Sequence, residues 1–196
     1  MRIAVIGAGN IGGTLGRAWL AAGHEVRFGV PSPEKYAELT AGGATVTTVG
    51  DAVEGAGVVV LAMPGGAVGG ILSLIAAGLD GVVVLDATNS VGGGGPLNAS
   101  ASVAAAAPNA VYYRAFNTLG WENFANPTFD GVAADHFFSA PRADRDAIER
   151  LISDVGLRPA YLGPDKQDLV DSVLPLWLTL AQLRGQRHLA FRIVQD

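Results

Sequence analysis

The chain contains no cysteine and little charge, and both absences narrow the chemistry open to it. Without cysteine there is no disulfide, no thiolate nucleophile and no cysteine-ligated metal. Charged residues make up 16% of the 196 residues and the net charge is −5, which argues against a nucleic-acid partner. The histidines, His24, His136 and His188, lie far apart without metal-ligand spacing. We therefore expect neither a metal site nor a nucleic-acid partner.

The sequence also lacks a recognisable targeting or membrane segment. A strand-like run begins at residue 2, and no charged-then-apolar leader precedes it. The stretch from Ala56 to Leu79 carries no charge and is long enough to suggest a membrane span. However, Pro64-Gly65-Gly66 and Gly69-Gly70 interrupt it, so a strand, a turn and a helix fit it better. We expect a cytoplasmic protein with no membrane partner.

What the chain does have is a glycine-rich turn near its start. A short apolar strand and an amphipathic helix are joined by a G-x-G-x-x-G pattern over residues 7–12. Gly7 permits a tight turn, Gly9 lets the backbone approach a pyrophosphate, and Gly12 lets helix and strand pack closely. The alternative is a turn without a ligand, but the position between a strand and a helix, with a second strand at Glu25–Gly29, argues against it. The pattern predicts dinucleotide binding, with unpaired N–H groups at the helix start facing the anion.

Strand-like and helical segments alternate along the chain, which predicts a Rossmann-type, doubly wound α/β fold with a mainly parallel sheet. Six strands are expected near residues 3–6, 25–29, 45–49, 58–62, 82–85 and 110–113, and two more near 137–140 and 158–162. Helices are expected near 11–22, 34–41, 68–77, 98–107, 143–155 and 168–185. Gly92 to Gly95 is interpreted as a flexible connection. We expect a single domain over 1–196, with a nucleotide-binding core over 1–140 and a C-terminal strand and helix extension over 141–196.

Five motifs, taken in chain order, resemble one known family. They are the glycine pattern at 7–12, Leu61-Ala-Met-Pro64, Asp86-Ala-Thr-Asn89, Arg114-Ala-Phe-Asn-Thr118 and the Gly156 to Pro164 segment. Together they resemble the NADPH-dependent deazaflavin (coenzyme F420) reductase family over essentially the whole chain. The oxidoreductase domain of the six-transmembrane ferric reductases is similar too, with lysine where this chain has Arg114.

The resemblance implies that NADP(H) lies across the strand ends. The implied cofactor-binding residues are Gly7, Ala8, Gly9, Asn10, Ile11, Gly12, Ser32, Lys35, Ala62, Met63, Pro64, Asn117, Thr118 and Leu119. Residues 8–11 would hold the pyrophosphate, Met63 and Pro64 would lie along the nicotinamide half, and residues 117–119 would border the nicotinamide. A flat acceptor, coenzyme F420 or a flavin, would stack on the nicotinamide. The alternatives are that Pro64 only ends a strand, and that residues 117 and 118 form a turn that satisfies its own backbone.

The loop after the second strand departs from the family pattern. The family usually carries Ser-Arg there to bind the 2′-phosphate, whereas this loop reads Val30-Pro-Ser-Pro-Glu-Lys35. The arginine is absent, and the 2′-phosphate contacts would come from Ser32, Lys35 and backbone N–H groups. No acidic residue ends the second strand to accept the ribose hydroxyl of NAD. The choice of coenzyme stays open and tilts toward NADP.

Hydride transfer between two flat heterocycles needs proximity and orientation more than an acid or a base. The sequence offers no convincing proton-transfer pair, so no catalytic side chain is expected. Asp168 and Asp171, on the last helix, could face the site, but a solvated face of the helix is expected. Two rival hypotheses stay open: an imine or ketone reductase of the same superfamily, and a non-catalytic protein that senses NADPH.

The apolar pattern of the last helix predicts that two copies of the chain associate. Its apolar side chains cover more than one stripe: Leu169, Val173, Leu176, Trp177, Leu180 and Leu183. One sheet face cannot cover them all, so a homodimer through residues 168–191 is expected.

Overall fold

A computed structural model describes residues 1–91 and 96–194 of the chain. It contains two compact units, Met1–Tyr113 and Arg114–Asp196. The connection expected at Gly92 to Gly95 lies outside the described residues. The expected single domain, divided at residue 140, stays a prediction.

The first unit is built on a six-stranded sheet with the strand order β3-β2-β1-β4-β5-β6. The strands are β1 (Arg2–Ile6), β2 (Glu25–Gly29), β3 (Thr45–Thr47), β4 (Val58–Leu61), β5 (Val83–Asp86) and β6 (Val111–Arg114). The pairings that join β3 through to β5 are all parallel. Every residue of β4 is apolar and buried, as expected for a parallel sheet covered on both faces. The predicted Rossmann-type parallel fold is confirmed.

Helices follow the strands of this unit. They are α1 (Asn10–Ala21), α2 (Ala37–Ala41), α3 (Val49–Val53), α4 (Val68–Ile75) and α5 (Ser100–Ala106). One core cluster joins buried residues of α3, α4 and α5, such as Ala52, Leu72 and Val103, to the sheet. The short helix α3 was not predicted. Its N-cap, Thr48, accepts a hydrogen bond from the amide of Asp51 at 3.3 Å.

The second unit contains smaller strand pairs and a long helix. Its elements are α6 (Trp121–Ala125), β7 (Thr128–Phe129), β8 (Val132–Ala133), β9 (Asp135–Phe138), α7 (Arg145–Asp154), β10 (Arg158–Tyr161) and α8 (Gln167–Arg184). Strands β9 and β10 pair in parallel, and β7 and β8 form an antiparallel hairpin. Helix α8 ends at Gly185, whose φ of 63° is the left-handed conformation that glycine favours at this position. Among residues 1–91 and 96–194, no helix combines the length and hydrophobicity that a membrane span requires.

Asp135 attaches the last described residues to β9. Its buried carboxylate accepts hydrogen bonds from Arg158 and from the amide of Ile193, and its own amide donates to Phe191. Burial alone would raise the pKa of Asp135, but these hydrogen bonds and the charges of Arg158 and Arg192 hold the pKa below its ordinary value. The contribution of Asp135 to stability is therefore present at neutral pH and is lost as the pH falls through the lowered pKa.

Candidate coenzyme site

The glycine loop follows β1 at the carboxyl end of the sheet. Gly7 has a φ of 104°, and its amide donates to the carbonyl of Gly29 at 3.0 Å, which joins the loop to the end of β2. A Cβ added to Gly7 would lie 2.5 Å from the carbonyl oxygen of Ala62. Both the backbone conformation and the contact require glycine.

Gly12 and Gly9 have different surroundings. A Cβ on Gly12 would lie 2.1 Å from the carbonyl oxygen of Gly7, so packing excludes any side chain there. A Cβ on Gly9 would meet nothing within 4 Å, and Gly9 is exposed. The loop therefore leaves open space at Gly9 itself, where the backbone of a dinucleotide-binding turn approaches a pyrophosphate. The residues present fit that group.

At the start of α1, no side chain competes with an anion for the backbone N–H groups. Gly9 is its N-cap, no side chain caps it, and its first turn contains no acidic residue. The first N–H groups of an α-helix have no acceptor within the helix. Together with the helix dipole, they favour an anion at this end of α1.

The loop after β2 lies beside the glycine loop, because Gly7 bonds to the last residue of β2. Ser32 is half-buried and Lys35 is exposed, and the amide of Lys35 donates to the carbonyl of Ser32 at 3.1 Å. Lys35 forms no ion pair within residues 1–91 and 96–194. Its ammonium group is therefore available to a phosphate.

The segment after β4 lies at the same end of the sheet as the glycine loop and the loop after β2. The amide of Ala62 donates to the carbonyl of Ile6 at 2.9 Å, Met63 packs on the core, and Pro64 is exposed. The structure thus brings all the expected residues of the first unit to the carboxyl ends of β1, β2 and β4.

A cavity of about 470 Å³ opens beyond β4 and β5. Its lining includes Pro64, Thr88, Asn89, Ser90, Asn98 and Ser102. None of the described lining residues has an ionisable side chain. Of the two residues expected along the nicotinamide half, Met63 and Pro64, Pro64 lines this cavity.

Asp86, the last residue of β5, shapes one wall of the cavity. Its buried carboxylate accepts hydrogen bonds from the amide and hydroxyl of Thr88 at 2.8 and 2.7 Å. The other carboxylate oxygen accepts from the amide of Ala99 at 2.7 Å and the hydroxyl of Tyr112 at 2.6 Å. Asp86 therefore fixes both ends of the segment 87–99 to the sheet.

The remaining expected residues, Asn117, Thr118 and Leu119, belong to the second unit. All three are buried there. The side-chain amide of Asn117 donates to Oδ1 of Asp171 at 3.0 Å. The hydroxyl of Thr118 is buried without a hydrogen-bond partner among the described residues. Their assignment to the nicotinamide stays a prediction.

The expectation of a solvated Asp171 was wrong. Asp171 is buried on α8, and its Oδ1 accepts from Nε of Arg114 at 2.7 Å and lies 2.6 Å from Nη2. The guanidinium of Arg114 is fully buried. The available signal was the position of Asp171 beside Val170 and Leu174, on the apolar side of the helix.

His136 supports the turn that contains Asn117 and Thr118. Its Nε2 accepts the amide hydrogen of Phe116 at 2.6 Å, and its ring stacks on that of Phe116 with centroids 4.8 Å apart. Phe116 has a φ of 62°, which is unusual for a residue with a side chain. Burial lowers the pKa of His136 to about 3, so the imidazole is neutral at physiological pH.

This buried imidazole predicts acid sensitivity. The unfolded chain binds a proton at the ordinary histidine pKa of about 6.5, whereas the folded chain does not bind it until about pH 3. Stability is therefore complete above pH 6.5 and falls below it, by about 1.4 kcal/mol per pH unit from His136. Urea titrations between pH 6 and pH 4 measure this slope. His136→Gln should reduce the slope, and an unchanged slope in that variant would contradict the assignment.

Within the part of the chain that the structure describes, no three His, Asp or Glu side chains are grouped to hold a metal ion. Comparison with known families gives a match over the residues that contain the glycine loop and the carboxyl ends of β1, β2 and β4. Residues 2–90 match the family described as NADP oxidoreductase, coenzyme F420-dependent. Comparison with curated proteins returns no significant match.

Solved structures share the fold. A protein from Arthrobacter sp. FB24, proposed to be an F420-dependent NADP reductase, superposes with a TM-score of 0.87 at 23% identity, over 100% of both chains. A reductive aminase from Aspergillus terreus in complex with NADPH and ethyl levulinate has a TM-score of 0.73 at 18% identity, over 94% of this chain and 62% of that one. An imine reductase from Streptomyces aurantiacus has a TM-score of 0.73 at 21% identity, over 93% and 63%.

The glycine loop and the strands around it all lie within the matched residues. Residues 2–90, just under half of the chain, are therefore similar to the coenzyme F420-dependent NADP oxidoreductase family, and this similarity supports an NAD(P)-dependent oxidoreductase.

Proposed function

We propose that this oxidoreductase transfers hydride between NADPH and a deazaflavin (coenzyme F420) or a flavin. The observation that carries the proposal is the open space at Gly9, in front of a helix start with no acidic residue. When bound, NADPH supplies a hydride, which is two electrons with one proton. The acceptor takes up this hydride and one proton from solvent, and NADP⁺ is left.

The residues of the first unit have separate roles in this proposal. The backbone at Gly9 and Asn10 binds the pyrophosphate, and Ser32 and Lys35 face the 2′-phosphate. The segment 62–64 runs along the nicotinamide half. The chain's contribution is to bind and orient the two heterocycles, since positioning supplies much of the rate of such a transfer.

The cavity beyond β4 and β5 supports a flat acceptor. Its volume of about 470 Å³ lies within the 300–1,000 Å³ typical of small-molecule sites. Its described lining is neutral, with hydroxyl and amide groups beside apolar ones. Such a lining suits a neutral heterocycle and provides no acid or base.

The same neutral lining weighs against the rival enzyme. Imine or ketone reduction needs a proton for the nitrogen or oxygen, and a positioned acid is the usual source. Because the reductive aminase and the imine reductase share their fold with this chain, the experiment also tests an imine as acceptor. A non-catalytic NADPH sensor is the third outcome, and the ferric reductase resemblance stays a prediction.

Stopped-flow mixing of the protein and NADPH with separate acceptors tests the proposal. The panel is coenzyme F420, FMN and a cyclic imine, and NADPH oxidation is followed by absorbance, with NADPH alone as the control. Oxidation with the deazaflavin or the flavin is expected. Turnover with the imine alone would indicate an imine reductase. NADPH binding without turnover on any acceptor would indicate a sensor.

We also propose that two copies of the chain associate through α8. Leu169, Leu176 and Leu183 recur every seventh residue and are 52%, 53% and 77% exposed. Val173 and Leu180, both half-buried, complete a stripe with alternating spacings of four and three. This spacing suits the pairing of the same helix from two copies.

Leu176→Asp is expected to convert such a dimer to a monomer, because it buries a charge in the middle of the stripe. Light scattering at micromolar concentration measures the mass. Gln182→Asp is the matched control, since it adds the same charge at another exposed position of α8. A monomeric wild-type protein would overturn this proposal. The cytoplasmic location stays a prediction.

A further inference from the structure

Arg17 lies on α1 close to the glycine loop. It is exposed, and a Cβ on Gly13 would lie 3.4 Å from its Nη1 and 3.3 Å from the carbonyl oxygen of Ala8. Side chains on an α-helix lean toward its N-terminus. The guanidinium of Arg17 therefore covers Gly13 and returns toward the turn that begins α1.

The angular position of Arg17 on α1 places its side chain on the β2 side of the glycine loop. Gly12 faces Ala62, which follows β4, because a Cβ on it would lie 3.1 Å from the Cβ of Ala62. Gly16 faces β2, because a Cβ on it would lie 2.2 Å from the ring of Phe28. With roughly 100° per residue, Gly16 is about 40° around the helix from Gly12. Arg17 is about 100° further in the same direction, away from β4.

The first unit has few basic side chains, and one of them is already paired with a carboxylate. Its basic residues are Arg2, Arg17, Arg27 and Lys35. Arg27 pairs with Glu25 at 2.9 Å, and Arg2 begins β1 at the opposite end of the sheet. Of the residues that the structure describes, Arg17 and Lys35 are the cations of this unit that flank the glycine loop without an ion pair.

We propose that Arg17 binds the 2′-phosphate of NADPH together with Lys35, and so sets the preference for NADPH over NADH. The inference rests on the proposed coenzyme function. The ribose of a dinucleotide lies beside the end of β2, where an arginine accommodates the 2′-phosphate in NADP enzymes. The loop after β2 contains no arginine, and Arg17 supplies a guanidinium on that flank from α1. The planar guanidinium suits a phosphate.

Calorimetry with NADPH, NADH and 2′,5′-ADP tests the inference. Arg17→Ala should weaken the binding of NADPH and of 2′,5′-ADP about tenfold, as for the loss of one charged hydrogen bond. NADH affinity should stay within about twofold, because NADH has no 2′-phosphate. Arg17→Lys should recover part of the loss. Arg27→Ala is the control, since it removes an equal charge that is already paired.

Unchanged NADPH affinity in Arg17→Ala would overturn the inference. Equal losses for NADPH and NADH would also overturn it, because the contact would then involve the pyrophosphate or the fold. The titration of the wild-type protein distinguishes a failure of the proposed function from a failure of this inference. A wild-type protein that binds neither coenzyme refutes the proposed function, whereas normal wild-type binding with an unaffected Arg17→Ala refutes this inference alone.

Discussion

Replacing Gly9 by valine is expected to abolish NADPH binding and leave the fold intact. A Cβ at Gly9 meets nothing within 4 Å in the protein, so the new side chain causes no internal clash. It would instead fill the space that the proposed pyrophosphate needs. We expect at least about a hundredfold loss of NADPH affinity by calorimetry, equivalent to about 2.7 kcal/mol.

Two glycine variants make this result interpretable. Gly69→Val also adds a side chain where the structure has open space, but on α4, so its NADPH affinity should be normal. Gly12→Ala should lower the thermal stability, because its Cβ would lie 2.1 Å from the carbonyl oxygen of Gly7. A folded Gly9→Val protein that binds NADPH like the wild type would remove the pyrophosphate assignment.

Asp171→Ala is expected to have the largest effect on stability. Arg114 is fully buried, and Asp171→Ala removes the carboxylate that its guanidinium contacts at 2.6 Å. Breaking a buried pair in this way costs about 3–5 kcal/mol. Urea unfolding of the protein measures the loss, and the fluorescence of the buried Trp177, on the same helix as Asp171, is a suitable probe.

The double variant Arg114→Met with Asp171→Leu tests the cause of this loss. It removes both charges and retains apolar volume, so it should recover most of the stability that Asp171→Ala loses. Gln182→Ala, an exposed change on the same helix, should have little effect. A double variant as unstable as Asp171→Ala would indicate that packing, and not the broken ion pair, causes the loss.

The strand, turn and helix that contain the glycine pattern were predictable because their signals are local. The strand β1, the glycine pattern and α1 occupy adjacent residues, and each glycine permits a backbone conformation or a close approach at its own position. A reader of the sequence can therefore place Gly7, Gly9 and Gly12 on one turn. The family resemblance then added the segment 62–64, which the structure brings to the same edge.

The missed features depend on distant partners or on short elements. The burial of Asp171 depends on Arg114, which lies 57 residues earlier in the chain. The five residues of α3 are too few to show a helical period, and the two-residue strands β7 and β8 show no alternation. The role of Arg17 needs the orientation of α1 against β2, which follows from contacts and not from composition.

The hydrogen bonds that Asp86 accepts from Thr88, Ala99 and Tyr112 have a consequence for protein engineering. Because this carboxylate accepts hydrogen bonds from Thr88 and Ala99, near the two ends of the segment 87–99, we expect substitutions at the cavity-lining residues between them to leave the register of β5 unchanged. The segment contributes Asn89, Ser90 and Asn98 to the cavity wall, whereas the glycine loop belongs to another part of the sheet edge. Under the proposed function, a library in this segment, with Asp86, Thr88 and Ala99 held constant, is expected to change acceptor preference and to leave coenzyme affinity intact.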